Sequence, residues 1–120
     1  LDPENPEYHY KLALALRASG TTAETIAEVE KTVRLDPGYA RAWYNLGLAK
    51  SSMNQPQAAI AALRQGETAD PNDSAIPYAR ATIHARLGQK NEALAAAALA
   101  LQLRPDFPEA RQLIQALARP

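Results

Sequence analysis

The sequence predicts an all-α protein: a helix–turn–helix unit repeated every 34 residues, closed by one further helix. Three observations predict it. Pro3, Pro37, Pro71 and Pro105 fall 34 residues apart, in the contexts LDP, LDP, ADP and LRP. Tyr10, Tyr44 and Tyr78 keep the same phase, and each is followed three places on by a small residue, Ala13, Gly47 or Ala81. The composition also favours helix: 47% of residues are hydrophobic, much of that alanine, while aromatic residues make up 6% and β-branched ones are scattered.

The elements follow in order. Tyr8, Leu12 and Ala15 share one helical stripe, and Ala42, Leu46, Ala49 and Met53 share its copy. Breakers come next: SGTT at 19–22, NQP at 54–56 and GQK at 88–90. A second helix then runs to each DP or RP. Thr21 and Glu24 have capping-box spacing, and Pro56 suits a first helical turn. Each closing proline ends its helix, because it lacks an N–H and biases the preceding residue away from helical geometry. The expected helix pairs are 6–18 with 22–35, 40–53 with 56–69, and 74–87 with 90–103. A last helix at 107–118 puts Ala110, Leu113, Ile114 and Leu117 on one face, with Glu109, Arg111, Gln112 and Gln115 over much of the rest. That is the pattern of a capping helix. The chain, 1–120, reads as a single array of repeats at about 6–39, 40–73 and 74–107. It opens on LDP, the close of a preceding unit, and so reads as an excerpt of a longer chain. Its N-terminal edge lacks a matching cap, which predicts further repeats upstream or self-association through that edge.

Charge and residue inventory exclude several function classes. Net charge is zero, against the basic excess that nucleic acid or an anionic membrane requires. There is no cysteine, so thiol chemistry is excluded. No apolar run reaches membrane-spanning length and no signal peptide is present, which favours a cytoplasmic setting. No Ser-His-Asp or Cys-His set, glycine-rich phosphate loop or metal-ligand cluster appears, so neither enzyme activity, cofactor nor metal is expected. His9 and His84 are isolated and read as partly buried structural residues. Glu24, Glu28 and Glu30 read as a solvated helix face and a cap.

The 34-residue unit, with Trp43, Leu46, Gly47, Ala59 and Pro71 in the spacing Trp-x2-Leu-Gly, Ala and closing Pro, resembles the tetratricopeptide repeat. The flanking copies are looser: the Trp place is His9 and then Pro77, and the Leu-Gly place is Leu12-Ala13 and then Arg80-Ala81. The resemblance implies a right-handed superhelix, an α-solenoid. Within it, Gly47 admits its partner helix closely and Trp43 fills the gap beside that contact. Arg80 falls in the packing stripe Ile76, Arg80, Ile83 and Leu87. Its stem is therefore expected on a neighbouring helix and its guanidinium in solvent or on a carboxylate.

The resemblance also implies a concave groove lined by the first helix of each repeat. Its residues here are Glu7, Tyr10, Lys11, Leu14 and Arg17; Arg41, Tyr44, Leu48, Ser51 and Ser52; and Tyr78, Ala79, Thr82, Ala85 and Arg86, with Asn45 beside the second set. Three tyrosines in register would form a ladder offering apolar faces and hydroxyls. Lys11, Arg17, Arg41 and Arg86 against Glu7 make the groove mildly basic, which predicts a ligand with acidic character. Carboxylate-clamp members need five lysine, asparagine and arginine places. Only Asn45 matches here; Tyr10, Leu14, Ala75 and Ala79 hold the rest. The asparagine ladder of O-linked N-acetylglucosamine transferases is likewise reduced to Asn45, between Lys11 and Ala79. The implied function is a scaffold or adaptor module for protein–protein interaction, binding an extended or helical peptide in the groove. The alternative is a regulatory or substrate-docking segment of a larger enzyme, such as a bacterial glycosyltransferase- or sulfotransferase-like protein.

Overall fold

A computed structural model describes residues 4–18 and 22–119, and among these it contains seven helices and no strand. They are α1 (Pro6–Ala18), α2 (Thr22–Leu35), α3 (Ala40–Ser52), α4 (Pro56–Ala69), α5 (Ala75–Arg86), α6 (Lys90–Leu103) and α7 (Pro108–Ala118). Each expected helix is present, with its ends displaced by no more than one residue. Two compact units divide the chain, Leu1–Asp70 with α1–α4 and Pro71–Pro120 with α5–α7. Leu1 to Pro3, and the Thr21 of the expected capping box, lie outside the described residues.

The turns explain where helices stop. After α3, Asn54 adopts φ 59°, and after α5 Gly88 adopts φ 74°. In both places the chain closes the helix with paired backbone bonds. Gln55 N donates to Lys50 O at 2.9 Å and Asn54 N to Ser51 O at 3.0 Å. Gln89 N donates to His84 O at 2.9 Å and Gly88 N to Ala85 O at 3.1 Å. The left-handed residue thus satisfies carbonyls that the helix end leaves open. Starts are set by proline and by carboxylate caps. Pro56 and Pro108 open α4 and α7, where a missing N–H costs nothing. Asp73 accepts the backbone N–H of Ala75 at 3.0 Å as α5 begins. Pro77, in the first turn of α5, is compatible with the helix for the same reason as Pro56.

In the first unit, α1 packs on α2, α2 on α3 and α3 on α4. Ala13, Ile26, Val29, Val33, Ala42, Leu46 and Ala62 form one buried cluster, with Tyr10, Tyr39, Trp43 and Ala49 against it. The expectation for Gly47 holds. A Cβ there would stand 2.6 Å from Leu63 Cγ and 3.2 Å from the carbonyl oxygen of Ala59, so the close crossing of α3 and α4 requires glycine. Trp43 packs against the buried cluster and also donates Nε1–H to the carbonyl oxygen of Pro37 at 2.8 Å, tying α3 to the loop before it.

In the second unit, α5 packs on α6 and α7 packs on both. Ala81, Ala96 and Ala97 are buried beneath Leu113 and Ile114. Ala100, Phe107 and Ala110 form a second cluster, with Tyr78 and Leu101 against it. The alanine-rich α6 serves this packing: a methyl at each buried position lets α5 and α7 approach closely. The stripe on α5 departs from expectation at Leu87, which is exposed; Arg80 is buried, so of the two ends expected for its guanidinium open solvent is not the one found. Among its contacts, Arg80 Nη1 stands a long 3.5 Å from His84 Nε2, while His84 Nδ1–H donates to the side-chain oxygen of Gln89 at 2.7 Å.

Candidate functional site

On the first unit, Tyr10 packs against the buried cluster, and the other expected site residues of α1 and α3 lie outside it. Tyr10, Tyr44, Asn45 and Leu48 are half-buried, while Lys11, Leu14 and Arg41 are exposed. The structure joins two of them directly. Asn45 donates its Nδ2–H to the hydroxyl of Tyr10 at 2.6 Å, bridging α1 and α3. Arg41 lies over the ring of Tyr44, 5.0 Å from its centre. Lys11 reaches Glu7, one turn earlier on the same helix, at 3.2 Å. This pairing offsets part of the basic character expected of the face, although an exposed pair of this kind is worth little. The side chain of Arg17 lies outside the described residues.

On the second unit, Tyr78 is half-buried on α5 and Arg86 is exposed at that helix's end. The ring of Tyr78 packs 4.9 Å from Phe107 at an interplanar angle of 42°, and Arg104 covers Phe107 at 4.7 Å. Tyr10 makes the same kind of pair with Tyr39, at 4.9 Å and 41°. The three tyrosines are therefore not equivalent. Tyr10 and Tyr78 are held by the aromatic that precedes a later helix, and Tyr44 is covered by its own neighbour Arg41. Sequence reasoning missed Tyr39 and Phe107. The signal was available: they are separated by 68 residues, as Tyr10 and Tyr78 are.

Ionisable groups elsewhere have structural partners. Glu28 does not belong to a solvated face: its carboxylate is nearly buried and accepts from His9 Nδ1–H at 2.6 Å and Lys31 Nζ–H at 3.1 Å. Burial opposes its ionisation, but the bonds from His9 and Lys31 prevail and hold it below the ordinary glutamate value. His9 and His84 are both buried. Burial raises the Tyr39 phenol above its ordinary value, helped by Tyr10, Glu7 and Asp36. A cleft of about 320 Å³ lies between α1 and α2, lined by His9, Lys31, Arg34 and Leu35. None of these is an expected groove residue. Among the described residues, no group of three or more His, Cys, Asp or Glu side chains could hold a metal ion. No described helix is long and apolar enough to cross a membrane.

The comparisons with known proteins agree with this architecture. The chain belongs to the tetratricopeptide repeat family, whose models match residues 16–83 and 78–107. It is 50% identical over 46 residues to the TPR repeat-containing thioredoxin TTL4 of Arabidopsis thaliana, covering 38% of this chain and 7% of that protein. It is 36% identical over 70 residues to the heat-shock protein cognate co-chaperone sgt12 of Aspergillus fumigatus, covering 58% of this chain and 20% of that protein. The chain thus spans at most a fifth of the length of these relatives. Among solved structures, MamA superposes with a TM-score of 0.91 at 28% identity, over 97% of this chain and 68% of that one. The first tetratricopeptide domain of Spaghetti (RPAP3), bound to the HSP90 peptide SRMEEVD, superposes with a TM-score of 0.89 at 16% identity, over 98% and 94%. At that identity the likeness is one of fold.

Proposed function

We propose that the chain is a protein-interaction module without catalytic activity, taking a peptide segment of a partner on the face shared by α1 and α3. The carrying observation is that Tyr10, Leu14, Arg41, Tyr44, Asn45 and Leu48 keep exposed surface there while the opposite sides of the same helices are buried. Leu14 is 43% exposed, an apolar group that a peptide side chain would cover. Two similar proteins support the reading. The RPAP3 domain holds a peptide of another protein, and sgt12 is a co-chaperone. A cytoplasmic setting fits the latter likeness.

The ligand's chemistry follows from the side chains. Tyr44 under Arg41 offers a flat aromatic surface with a cation on top, which suits an acidic residue flanked by apolar ones. Tyr78 and Arg86 offer similar groups on the second unit. Four of the five places of a carboxylate clamp hold other residues, so recognition of a bare C-terminal carboxylate is not proposed.

Selection of peptides from a displayed random library tests this. The best peptide, synthesised and titrated by calorimetry, should lose about tenfold in affinity against Tyr44→Ala, the loss expected of one tyrosine contact. Its affinity should also fall as salt is raised. Recovery of no specific peptide, or undiminished binding to Tyr44→Ala, would overturn the proposal.

A further inference from the structure

We infer that the cleft between α1 and α2 is a second binding site, which takes an acidic side chain next to an aliphatic one from a partner protein. The cleft lies apart from the face shared by α1 and α3, so the inference does not depend on that face binding anything.

The starting point is a break in the repeat. Thirty-four residues after His9, Glu28, Lys31 and Arg34 stand Trp43, Ala62, Gln65 and Thr68, and 34 further on stand Pro77, Ala96, Leu99 and Gln102. The four ionisable groups therefore belong to the first repeat alone. The other two copies fill the same places without a charge and still pack α3 on α4 and α5 on α6. Pairing the two helices of a repeat does not require these groups.

The structure gathers them where α1 meets α2. One carboxylate oxygen of Glu28 accepts His9 Nδ1–H at 2.6 Å, and the other accepts Lys31 Nζ–H at 3.1 Å. Glu28 is thus taken up by groups of the chain itself. Lys31, Arg34 and Leu35 stand at i, i+3 and i+4 on α2, and with His9 they line the cleft of about 320 Å³. Arg34 is exposed and is not among the partners of Glu28. Two cations against one carboxylate leave the cleft with a surplus positive charge. Two carboxylates of the flanking chain are engaged elsewhere: Glu7 holds Lys11 at 3.2 Å, and Asp36 accepts the backbone N–H of Gly38 at 3.0 Å.

Leu35 supplies the other half of the chemistry. It is 37% exposed, an apolar group in the lining of a charged cleft. The stems of Lys31 and Arg34 add apolar surface beneath their charged ends. The volume stands at the low end of the range for ligand sites, about 300–1,000 Å³, and suits a pair of side chains rather than a long segment. A carboxylate there can take a two-pronged bond from Arg34, while an aliphatic neighbour covers Leu35. A last-turn arginine also favours the carbonyl end of its own helix, but that accounts for neither the cleft nor the exposed Leu35.

The test titrates the capped tripeptide acetyl-Leu-Asp-Leu-amide into the isotope-labelled chain and follows the backbone amide NMR signals. The neutral acetyl-Leu-Asn-Leu-amide and sodium acetate are the comparisons. The acidic peptide should give saturable shifts centred on Arg34 and Leu35, and should bind at least about fivefold more tightly than either comparison, the size of one charge-assisted contact at a solvated site. Arg34→Gln should weaken it about five- to tenfold for the same reason. Leu35→Ser should weaken it as well, and Tyr44→Ala should leave it unchanged. Both cleft residues are exposed, so these variants keep the fold, which circular dichroism checks. Absence of saturable shifts on α2, equal binding of the neutral peptide, or undiminished binding to Arg34→Gln would overturn the site. Acetate binding as tightly as the peptide would reduce it to a bare anion site and overturn docking of a partner. A loss in Tyr44→Ala equal to that in Arg34→Gln would put the peptide on the face of α1 and α3 instead. Shifts at Arg34 that depend on protein concentration, without peptide, would give the cleft to a second copy of the chain. Either result also overturns the inference.

Discussion

His9 presents Nδ1–H to a carboxylate oxygen of Glu28 at 2.6 Å, and the two side chains are only 10% and 13% exposed where α1 meets α2. Lys31 approaches the other carboxylate oxygen at 3.1 Å. A charge in such a place is stabilising only while its partners hold it, because burial alone disfavours it. The folded Glu28 carboxyl lies below its ordinary 4.5, with burial opposing and the His9 and Lys31 bonds prevailing.

The sign of the pH dependence follows. A depressed carboxyl stabilises the folded state above the unfolded value, and that contribution disappears as pH falls through the folded value. Urea unfolding should therefore give a free energy that declines as pH falls below 4.5. Glu28→Gln should flatten the decline, since the amide cannot titrate. An acid dependence identical in the variant and the native chain would show that other carboxylates carry it.

Gly47 yields a second expectation. Alanine is the better helix former by about 1 kcal/mol, so an exposed site would gain from the change. Here the added methyl would meet Leu63 Cγ at 2.6 Å and Cδ2 at 2.7 Å, and the Ala59 carbonyl oxygen at 3.2 Å. Leu63 is fully buried and has little room to move. Overpacking of this kind costs about 1–3 kcal/mol, which outweighs the propensity gain. Gly47→Ala should lower the urea midpoint without changing the slope, and Gly47→Val should lower it further. A midpoint raised by Gly47→Ala would mean that α3 and α4 separate without loss.

How much of this was legible in the sequence differs between the frame and the face. The period of the prolines located the repeats, because a residue without an N–H cannot continue a helix interior, and the breakers between them divided each repeat into two helices. The close crossing at Gly47 was also legible, since a glycine in a helical stripe needs a packing reason. The aromatic pairs were not. Tyr39 and Phe107 precede helices and carry no helical periodicity, so a search by stripe passes over them. Glu28 was misread for a related reason: its spacing from Glu24 is that of a solvated face, and its burial depends on His9, 19 residues away. Asn45 could be placed on α3, but the loss of its N–H to Tyr10 is a tertiary fact.

The turns after α3 and α5 offer a matched pair. Asn54 and Gly88 occupy corresponding places, both left-handed, at φ 59° and 74°. A residue with a Cβ is disfavoured there by about 1–2 kcal/mol, and asparagine is the best tolerated of them. Space is not at issue at Gly88, where an added Cβ meets nothing within 4 Å. Gly88→Ala should therefore cost about 1 kcal/mol from backbone strain alone. Asn54→Gly should be neutral or slightly stabilising, and Asn54→Ala destabilising. Thermal unfolding of the three variants decides the matter; a neutral Gly88→Ala would place the strain elsewhere.

Phe107 and Tyr39 make similar ring contacts but differ in burial, and this difference sets the last expectation. Phe107 is 5% exposed, packed on Tyr78 at 4.9 Å and covered by Arg104 at 4.7 Å. Its neighbours Ala100 and Ala110 are small and fully buried, so their side chains cannot swing in to fill a vacancy. Phe107→Ala should then cost about 3–5 kcal/mol, the range for a buried ring replaced without collapse of the site. Tyr39 is only half-buried against the first unit's cluster. Tyr39→Ala should cost about half as much, because less apolar surface returns to water. Phe107→Leu should recover most of the loss by refilling the volume. Denaturant titrations on all three variants test the ranking. Equal costs for Phe107→Ala and Tyr39→Ala would show that the ring contact, rather than burial, is what each aromatic contributes.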